Sequence, residues 1–418
     1  MDPEHLAQLE AALGQVTGFI YPNEVELHWS ILIVIYPYLT GLVAGAFILA
    51  SLEKVFKVKA LQPTYRLALL TALAFLIVAP MPLQAHLGHP ERAFEIFLTP
   101  NSASAMAMFG FVYAWYLMVV LLMEIWFDYR ADLVRWRQND KGVMKLVRWL
   151  ISLGSRDVSP AAVAFDKKAV QFITIVGIPS AFLLHGYVGF IFGSVKANPW
   201  WSSVLMPIVF LFSAIVSGIS MVLLIYYVTT LLRRKELDMS CLDALASFLF
   251  YALIIDLSLE ALDFIHRLYE SEESIEILEQ LIFGKLFLSL TIVQILLGTI
   301  VPIVFLAAAR FSELPNEMKR MIYFVAAVLV QVGIFSTRWN VVIGGQLFSK
   351  SLRGLTAYKL EFGGQEGLLV AIGLLILPFL ILALLLKILP PWEDAKTDSS
   401  ELSEAMTEAE PSEASSLS

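Results

Sequence analysis

Nine stretches of this chain are predominantly apolar for more than 20 residues each, and short polar segments separate them. They cover about residues 28–51, 65–88, 102–127, 169–194, 201–232, 239–265, 279–309, 320–345 and 366–389. An α-helix rises 1.5 Å per residue, so about 20 residues cross the ~30 Å hydrocarbon layer of a bilayer. Backbone within that layer must satisfy its own hydrogen bonds, which such uninterrupted runs do as helices. The pattern therefore predicts an all-α integral membrane protein of about nine transmembrane helices. Residues 1–27 hold neither a basic segment nor an apolar one, so no cleavable signal peptide is expected there.

Charge adds direction to this picture. Only 16% of the residues are charged, against roughly 25% in soluble proteins. If the N-terminus lies outside, 21 of the 29 Lys and Arg residues fall in cytoplasmic segments and six in outer ones. Lys285 and Arg338 lie within spans. That excess inside predicts an N-terminus outside the cytoplasm and a cytoplasmic C-terminus. The longest cytoplasmic segment, 128–168, includes Leu133–Leu150, where Arg, Lys and Trp mix with aliphatic residues. It reads either as an interfacial amphipathic helix or as a solvated linker. Residues 390–418 form an acidic tail without an apolar run and are expected to be disordered in the cytoplasm.

Composition also removes several chemistries. The single cysteine, Cys241, excludes an internal disulfide, and iron–sulfur clusters generally take four cysteine ligands. No Cys/His spacing suggests zinc. Paired histidines at the spacing of a diheme bundle are missing, so neither haem nor an iron–sulfur cluster is expected in this chain. With a net charge of −8, the expected surroundings are the lipid bilayer and protein partners, not nucleic acid.

An ionisable side chain inside a span is costly and is a functional candidate by default. Here the candidates gather at one depth. His28 opens the first span, His86 and His89 close the second, and His185 lies in the outer half of the fourth. Asp256, Glu260 and Asp263 occupy the outer half of the sixth, followed by His266; Lys285 and Arg338 lie in the outer parts of the seventh and eighth. The inner halves hold Glu124 and Asp243, close to the cytoplasmic ends. This one-sided polarity predicts a polar cavity opening toward the outer face. Asp256, Glu260 and Asp263 follow i, i+4, i+7 spacing and share one helix face. Three carboxylates on a buried stripe repel unless protonated or matched by cations, and Arg338 and Lys285 are the expected partners. Such a set can tune a proton-transfer group. Plainer readings stay open: Arg338 as a structural ion pair with Asp256 or Glu260, His185 as a bridge between helices, and Lys285 snorkelling to the surface. His28, Asp263 and His266 also read as interface markers, and Tyr36, Tyr38, Tyr113 and Tyr187 as packing residues. The residues alone suit a quinone site, which needs a flat apolar slot, one or two polar groups and a proton route, or a proton-coupled transporter.

Several short motifs in a fixed order narrow the choice. They are the Gly-rich Tyr38–Gly45 (YLTGLVAG), the turn His86–Arg92 (HLGHPER), Asn101–Ala107 (NSASAMA), His185–Gly189 (HGYVG), Arg338-Trp339 and Ile388–Pro391 (ILPP). Across residues 25–392 the chain resembles the polysulfide reductase/nitrite reductase D-type family of quinone-reactive membrane subunits. Its long form is similar to the hydrogenase-2 membrane subunit, and HLGHPERAFEIFLTP looks closest to the P subunit of the sulfite-reductase-linked Dsr complex. The resemblance implies two four-helix bundles, 28–194 and 201–345, with an extra helix at 366–389. It also implies a quinone or menaquinone site near the periplasmic face. A periplasmic four-cluster ferredoxin-like subunit, and further redox subunits beyond it, would be the partners. Under that reading His185, His86, Tyr38 and Tyr187 contact the quinone, and His86 or Glu260 exchanges its proton. Arg338 orients the carboxylates, and Asp256, Glu260, Glu124 and Asp243 extend a proton path. The family's Asp before Leu-Gly is His86 here, and Tyr36 and Tyr38 stand where some relatives present Asn and His. The expected function is quinone-linked electron exchange within a respiratory complex, some members of the family being suspected of proton translocation; a passive membrane anchor is the further alternative.

Overall fold

The computed structural model describes residues 16–21, 27, 29–270 and 275–392 of the 418, with a few isolated positions before Val16. His28 and the acidic tail beyond Trp392 lie outside the described residues. Among the described residues, nine helices are long and apolar enough to cross a membrane. They are α1 (Ile31–Lys54), α2 (Lys59–His86), α3 (Ala105–Asn139), α4 (Pro160–Gly193), α5 (Met206–Leu232), α6 (Met239–Tyr269), α7 (Phe287–Phe311), α8 (Asn316–Leu347) and α9 (Leu368–Ile388). The chain is an all-α membrane protein. Successive helices run in opposite senses, so the molecule has an upper face, where α1 begins, and a lower face, where α1 ends.

Helices α1–α4 form one four-helix bundle and α5–α8 a second, fused where α5 packs along α1 and α4, and α8 along α1. The seam is close because both helices present glycine there. A Cβ added at Gly45 of α1 would stand 2.8 Å from both the Ala214 carbonyl carbon and the Gly218 Cα of α5. Small residues allow this approach, and dispersion between the two backbones replaces the hydrophobic drive that lipid cannot supply. As a result α1 is buried along nearly its whole length. Helix α9 packs mainly on α2 and α1 and exposes Leu369, Ile372, Ile376, Leu380 and Leu384. At the upper face a two-stranded antiparallel ribbon, β1 (Thr17–Phe19) with β2 (Arg353–Leu355), ties the N-terminal segment to the α8–α9 connection.

The lower face differs from the sequence expectation. Helix α3 continues 12 residues past the expected end at 127, because its charges find partners. Arg66 pairs with Asp128 at 2.6 Å and Asp132 at 2.8 Å, Lys54 with Asp128 at 3.2 Å, and Arg130 binds Asp166 of α4 at 2.7 Å. The stretch 133–150, read as an interfacial amphipathic helix or a solvated linker, is split. Its first part belongs to α3, and Gly142, at φ +61, begins a separate surface helix, Gly142–Ile151. That helix turns Val143, Leu146 and Leu150 outward, while buried Arg148 holds Asp140 at 2.9 Å and donates to the Ile388 carbonyl.

If the α1–α5 seam sets the distance between the bundles, Gly45→Leu must push them apart. Overpacking of this kind typically costs about 1–3 kcal/mol and more where backbone is the obstacle. A clear drop in melting temperature in detergent is expected for Gly45→Leu. Gly373→Leu on α9, where a Cβ meets nothing, should melt like the wild type.

Candidate functional site

Helix α8 crosses the fused bundles and has a buried polar side chain toward each neighbour. Gln331 accepts a hydrogen bond from the Tyr38 hydroxyl of α1 at 2.7 Å. Its amide donates to the Ser217 carbonyl and the Ser220 hydroxyl of α5 at 2.7 and 2.6 Å. Two turns further on, Arg338 is completely buried. Its Nη2 donates to His185 Nε2 of α4 at 3.2 Å and to the Ser213 hydroxyl of α5 at 2.5 Å. The guanidinium lies over the Phe210 ring, 4.3 Å from its centroid, and Phe210 in turn stacks on His185. Helix α1 comes this close because residue 41 is glycine: a Cβ there would stand 3.2 Å from His185 Cε1 and 3.6 Å from Arg338 Nη2.

Hydrogen-bond direction fixes the state of the buried His185. A guanidinium only donates, so Nε2 accepts and the ring proton sits on Nδ1. That proton faces the Thr40 hydroxyl at 3.3 Å, and Thr40 donates to the Tyr36 carbonyl at 3.1 Å. His185 is thus held as the neutral Nδ1–H tautomer with both nitrogens engaged.

On the other side of α8, the three carboxylates of α6 have separate surroundings. Asp263 accepts from the Ser203 hydroxyl and pairs with Arg267 at 2.7 Å. Glu260 accepts from Gln294 of α7 at 3.1 Å. Gln294 accepts from Asn340 at 2.8 Å, and Asn340 from Ser289 at 2.5 Å. The first 14 residues of α7, Phe287–Ile300, wind as a π-helix, a widened ladder often found at functional sites. Asp256 is buried, and its Oδ1 has no hydrogen-bond partner. Arg338 lies close enough to Asp256 and Glu260 to feel their charge, yet its Nε and Nη1 are buried without partners. Among the described residues Arg338 forms no ion pair with either carboxylate. Lys285 donates to the Thr356 carbonyl at 2.9 Å, at the upper surface.

The remaining expected site residues fall into three places. His86, half-buried at the upper end of α2, meets Glu366 at 2.8 Å. Tyr187 stacks on Phe109 of α3 with ring centroids 6.0 Å apart, and Tyr36 meets the same Phe109 edge-on at 5.7 Å. The Tyr36 hydroxyl is buried and without a partner. Toward the lower face Glu124, completely buried, accepts from Tyr65 at 3.1 Å and Thr174 at 2.8 Å. Asp243 accepts from Tyr323 at 2.7 Å beside a cavity of about 180 Å³ that Arg310 and Lys319 also line.

The geometry therefore brings together His185, Arg338, Tyr38 and, across α8, Asp256 and Glu260. It leaves His86, Glu124 and Asp243 at separate stations. Ser213, Gln294, Gln331 and Asn340 complete the site and were not singled out in the sequence, and Thr40 entered only as part of the YLTGLVAG motif. They are neutral, and a hydroxyl or amide within an apolar run draws attention only through its spacing. Gln331 and Arg338, seven residues apart, are such a pair.

The model of the family described as polysulphide reductase, NrfD, matches residues 22–350. The chain is 32% identical to the C subunit of the selenate reductase of Mesobacillus selenatarsenatis over 324 residues, 75% of this chain and 73% of that protein. It is 24% identical to the Hdr-like menaquinol oxidoreductase integral membrane subunit of Archaeoglobus fulgidus over 341 residues, 80% and 74% of the two chains. With protein NrfD of Escherichia coli it shares 27% identity over 215 residues, 51% and 63% of the two.

Gln331 serves three partners, so Gln331→Leu leaves the buried Tyr38 hydroxyl without its acceptor and removes one donor each from the Ser217 carbonyl and the Ser220 hydroxyl. Each unsatisfied group costs about 1–3 kcal/mol, and a large loss of thermal stability is expected. Tyr38→Phe removes one bond only and should cost about 1 kcal/mol. Equal melting temperatures for the two variants would contradict the three-way role.

Proposed function

Because the chain belongs to the polysulphide reductase NrfD family and is a membrane subunit of an oxidoreductase complex, we propose that it binds a quinone or menaquinol in the upper half of the first bundle. The relative from Archaeoglobus fulgidus, named a menaquinol oxidoreductase subunit, supports that ligand class. The observation that carries the reading is the unpartnered, buried Tyr36 hydroxyl beside the Phe109–Tyr187 stack. An unsatisfied donor next to flat aromatic walls fits a ring with carbonyl oxygens, since buried polar groups otherwise find partners.

In this reading Tyr187 and Phe109 supply the walls and Tyr36 donates to one ligand oxygen. Tyr38, engaged with Gln331, holds α1 in place. His185, two positions earlier on α4, is turned instead toward Thr40, Phe210 and Arg338. A quinone there takes up or gives two electrons and two protons. This chain's own residues handle the protons: His86 with Glu366 near the upper surface, and Glu260 with Asp256 within the second bundle. Glu124 and Asp243 serve the lower ends of the two bundles. The upper face is the periplasmic one in this reading, from the 21-to-6 distribution of basic residues. An iron–sulfur partner subunit docks there and exchanges the electrons.

Titration of the purified chain with a fluorescent quinol-analogue inhibitor tests the site. Saturable binding is expected. Tyr36→Phe should weaken it about 5–10-fold, the worth of one net hydrogen bond near 1 kcal/mol or slightly more. Glu124→Gln, at the lower end, should leave it unchanged. Wild-type affinity in Tyr36→Phe together with Tyr187→Leu would remove the site from this slot.

A further inference from the structure

The Arg338 guanidinium stands between two sets of groups and satisfies one of them. Toward α4 and α5 it donates through Nη2 to His185 and Ser213. Its Nε and Nη1 are buried without partners, and so is Oδ1 of Asp256 on α6. A buried donor and a buried acceptor left unmatched on neighbouring helices are each unfavourable, and one movement of the arginine side chain relieves both. Nη2 is held by Ser213 and by His185, and the His185 contact requires Nε2 to be a lone pair.

We propose that Arg338 is a positioning residue with two stations, exchanging His185 for Asp256 when His185 is protonated at Nε2. The proton occupies the lone pair that accepted from Nη2. The Nη2–H···Nε2 hydrogen bond is lost, two positive charges stand a few ångströms apart, and the guanidinium transfers to the carboxyl oxygens of Asp256, with Glu260 one turn away. One N–H bond forms at His185, and the arginine keeps its own protons and charge. The groups around the switch are few. Arg338 is the charged residue that reaches His185, while α1 presents Thr40, and α5 presents Ser213 and Phe210. Arg338 in turn faces Asp256 and Glu260, and Glu260 also feels Asp263. The Phe210 ring, 4.3 Å below the guanidinium, gives it a cation–π surface to slide across. A proton gained in the first bundle is thereby converted into a charge displaced toward the second.

This goes beyond the quinone reading and is tested without a quinone, so either can fail alone. The full chain, labelled with 15N at arginine and histidine and 13C at aspartate, is reconstituted in lipid and studied by magic-angle-spinning NMR. At neutral pH an Arg338–His185 contact is expected and no short Arg338 Nη–Asp256 Cγ contact. On acidification the His185 ring should become an imidazolium, and the Arg338–Asp256 contact should appear in the same samples. The contact is identified by its loss in Asp256→Asn. In His185→Gln, whose side-chain carbonyl preserves an acceptor without a titrating ring, Arg338 should stay in place at every pH. An imidazolium formed with Arg338 unmoved would overturn the proposal. So would a ring that stays neutral throughout the stable range, or an Arg338–Asp256 contact that appears equally in His185→Gln.

Discussion

The rest of the architecture depends on one buried charge. Arg338 is completely enclosed, and burying an unpaired cation is prohibitive unless hydrogen bonds, aromatic faces or counter-charges surround it. Here the surroundings come from four helices: His185 from α4, Ser213 and Phe210 from α5, the glycine gap at Gly41 of α1, and the carboxylates of α6. Each helix must therefore reach one point within a fraction of an ångström. The small residues of the α1–α5 seam make that convergence possible, because bulkier side chains would hold the bundles too far apart for one arginine to touch both.

The distribution of polar groups follows the same constraint. At the lower face, where side chains reach the membrane surface, positive residues meet carboxylates directly, as in Arg130 with Asp166 and Arg66 with Asp128 and Asp132. In the membrane interior neutral groups take over. Gln331, Gln294, Asn340 and the serine hydroxyls offer donors and acceptors without the desolvation cost of an ion pair, and they tie α8 to α1, α5 and α7. Helix α8 thus carries polar contacts into both bundles, whereas α9 remains at the edge.

Most of the fold was legible in the sequence because the bilayer leaves few alternatives. Runs of apolar residues long enough to cross it become helices, and the ends of eight of the nine fell within about ten residues of expectation. The exception was α3, whose extension depends on Asp166 and Arg66, residues far away in sequence. The site was legible in its charges and illegible in its contacts. Arg338, His185, Asp256 and Glu260 stood out because ionisable residues are rare inside spans. Their partners did not, since Thr40, Ser213 and Gln331 look like ordinary members of apolar segments. The expected match between Arg338 and the carboxylates is replaced by a bond to His185, an outcome decided by helix rotation, which the i, i+4, i+7 spacing does not encode.

The chain of side chains ending at Glu260 has a direction that limits what it can do. Ser289 donates to Asn340, Asn340 to Gln294, and Gln294 to Glu260. A proton relay needs members that can accept at one atom while releasing from another, as hydroxyls, imidazoles and carboxyls do. Side-chain amides donate from nitrogen and accept at oxygen, and their N–H protons are too weakly acidic to be passed on. The two amides therefore act as fixed dipoles aimed at Glu260, orienting its carboxyl and favouring negative charge on it. A proton that reaches or leaves Glu260, as the proposed function has it, would do so from another side, where Asp256 and the unpaired arms of Arg338 lie. That leaves the arginine as the charged group that reaches from the second bundle to His185 of the first.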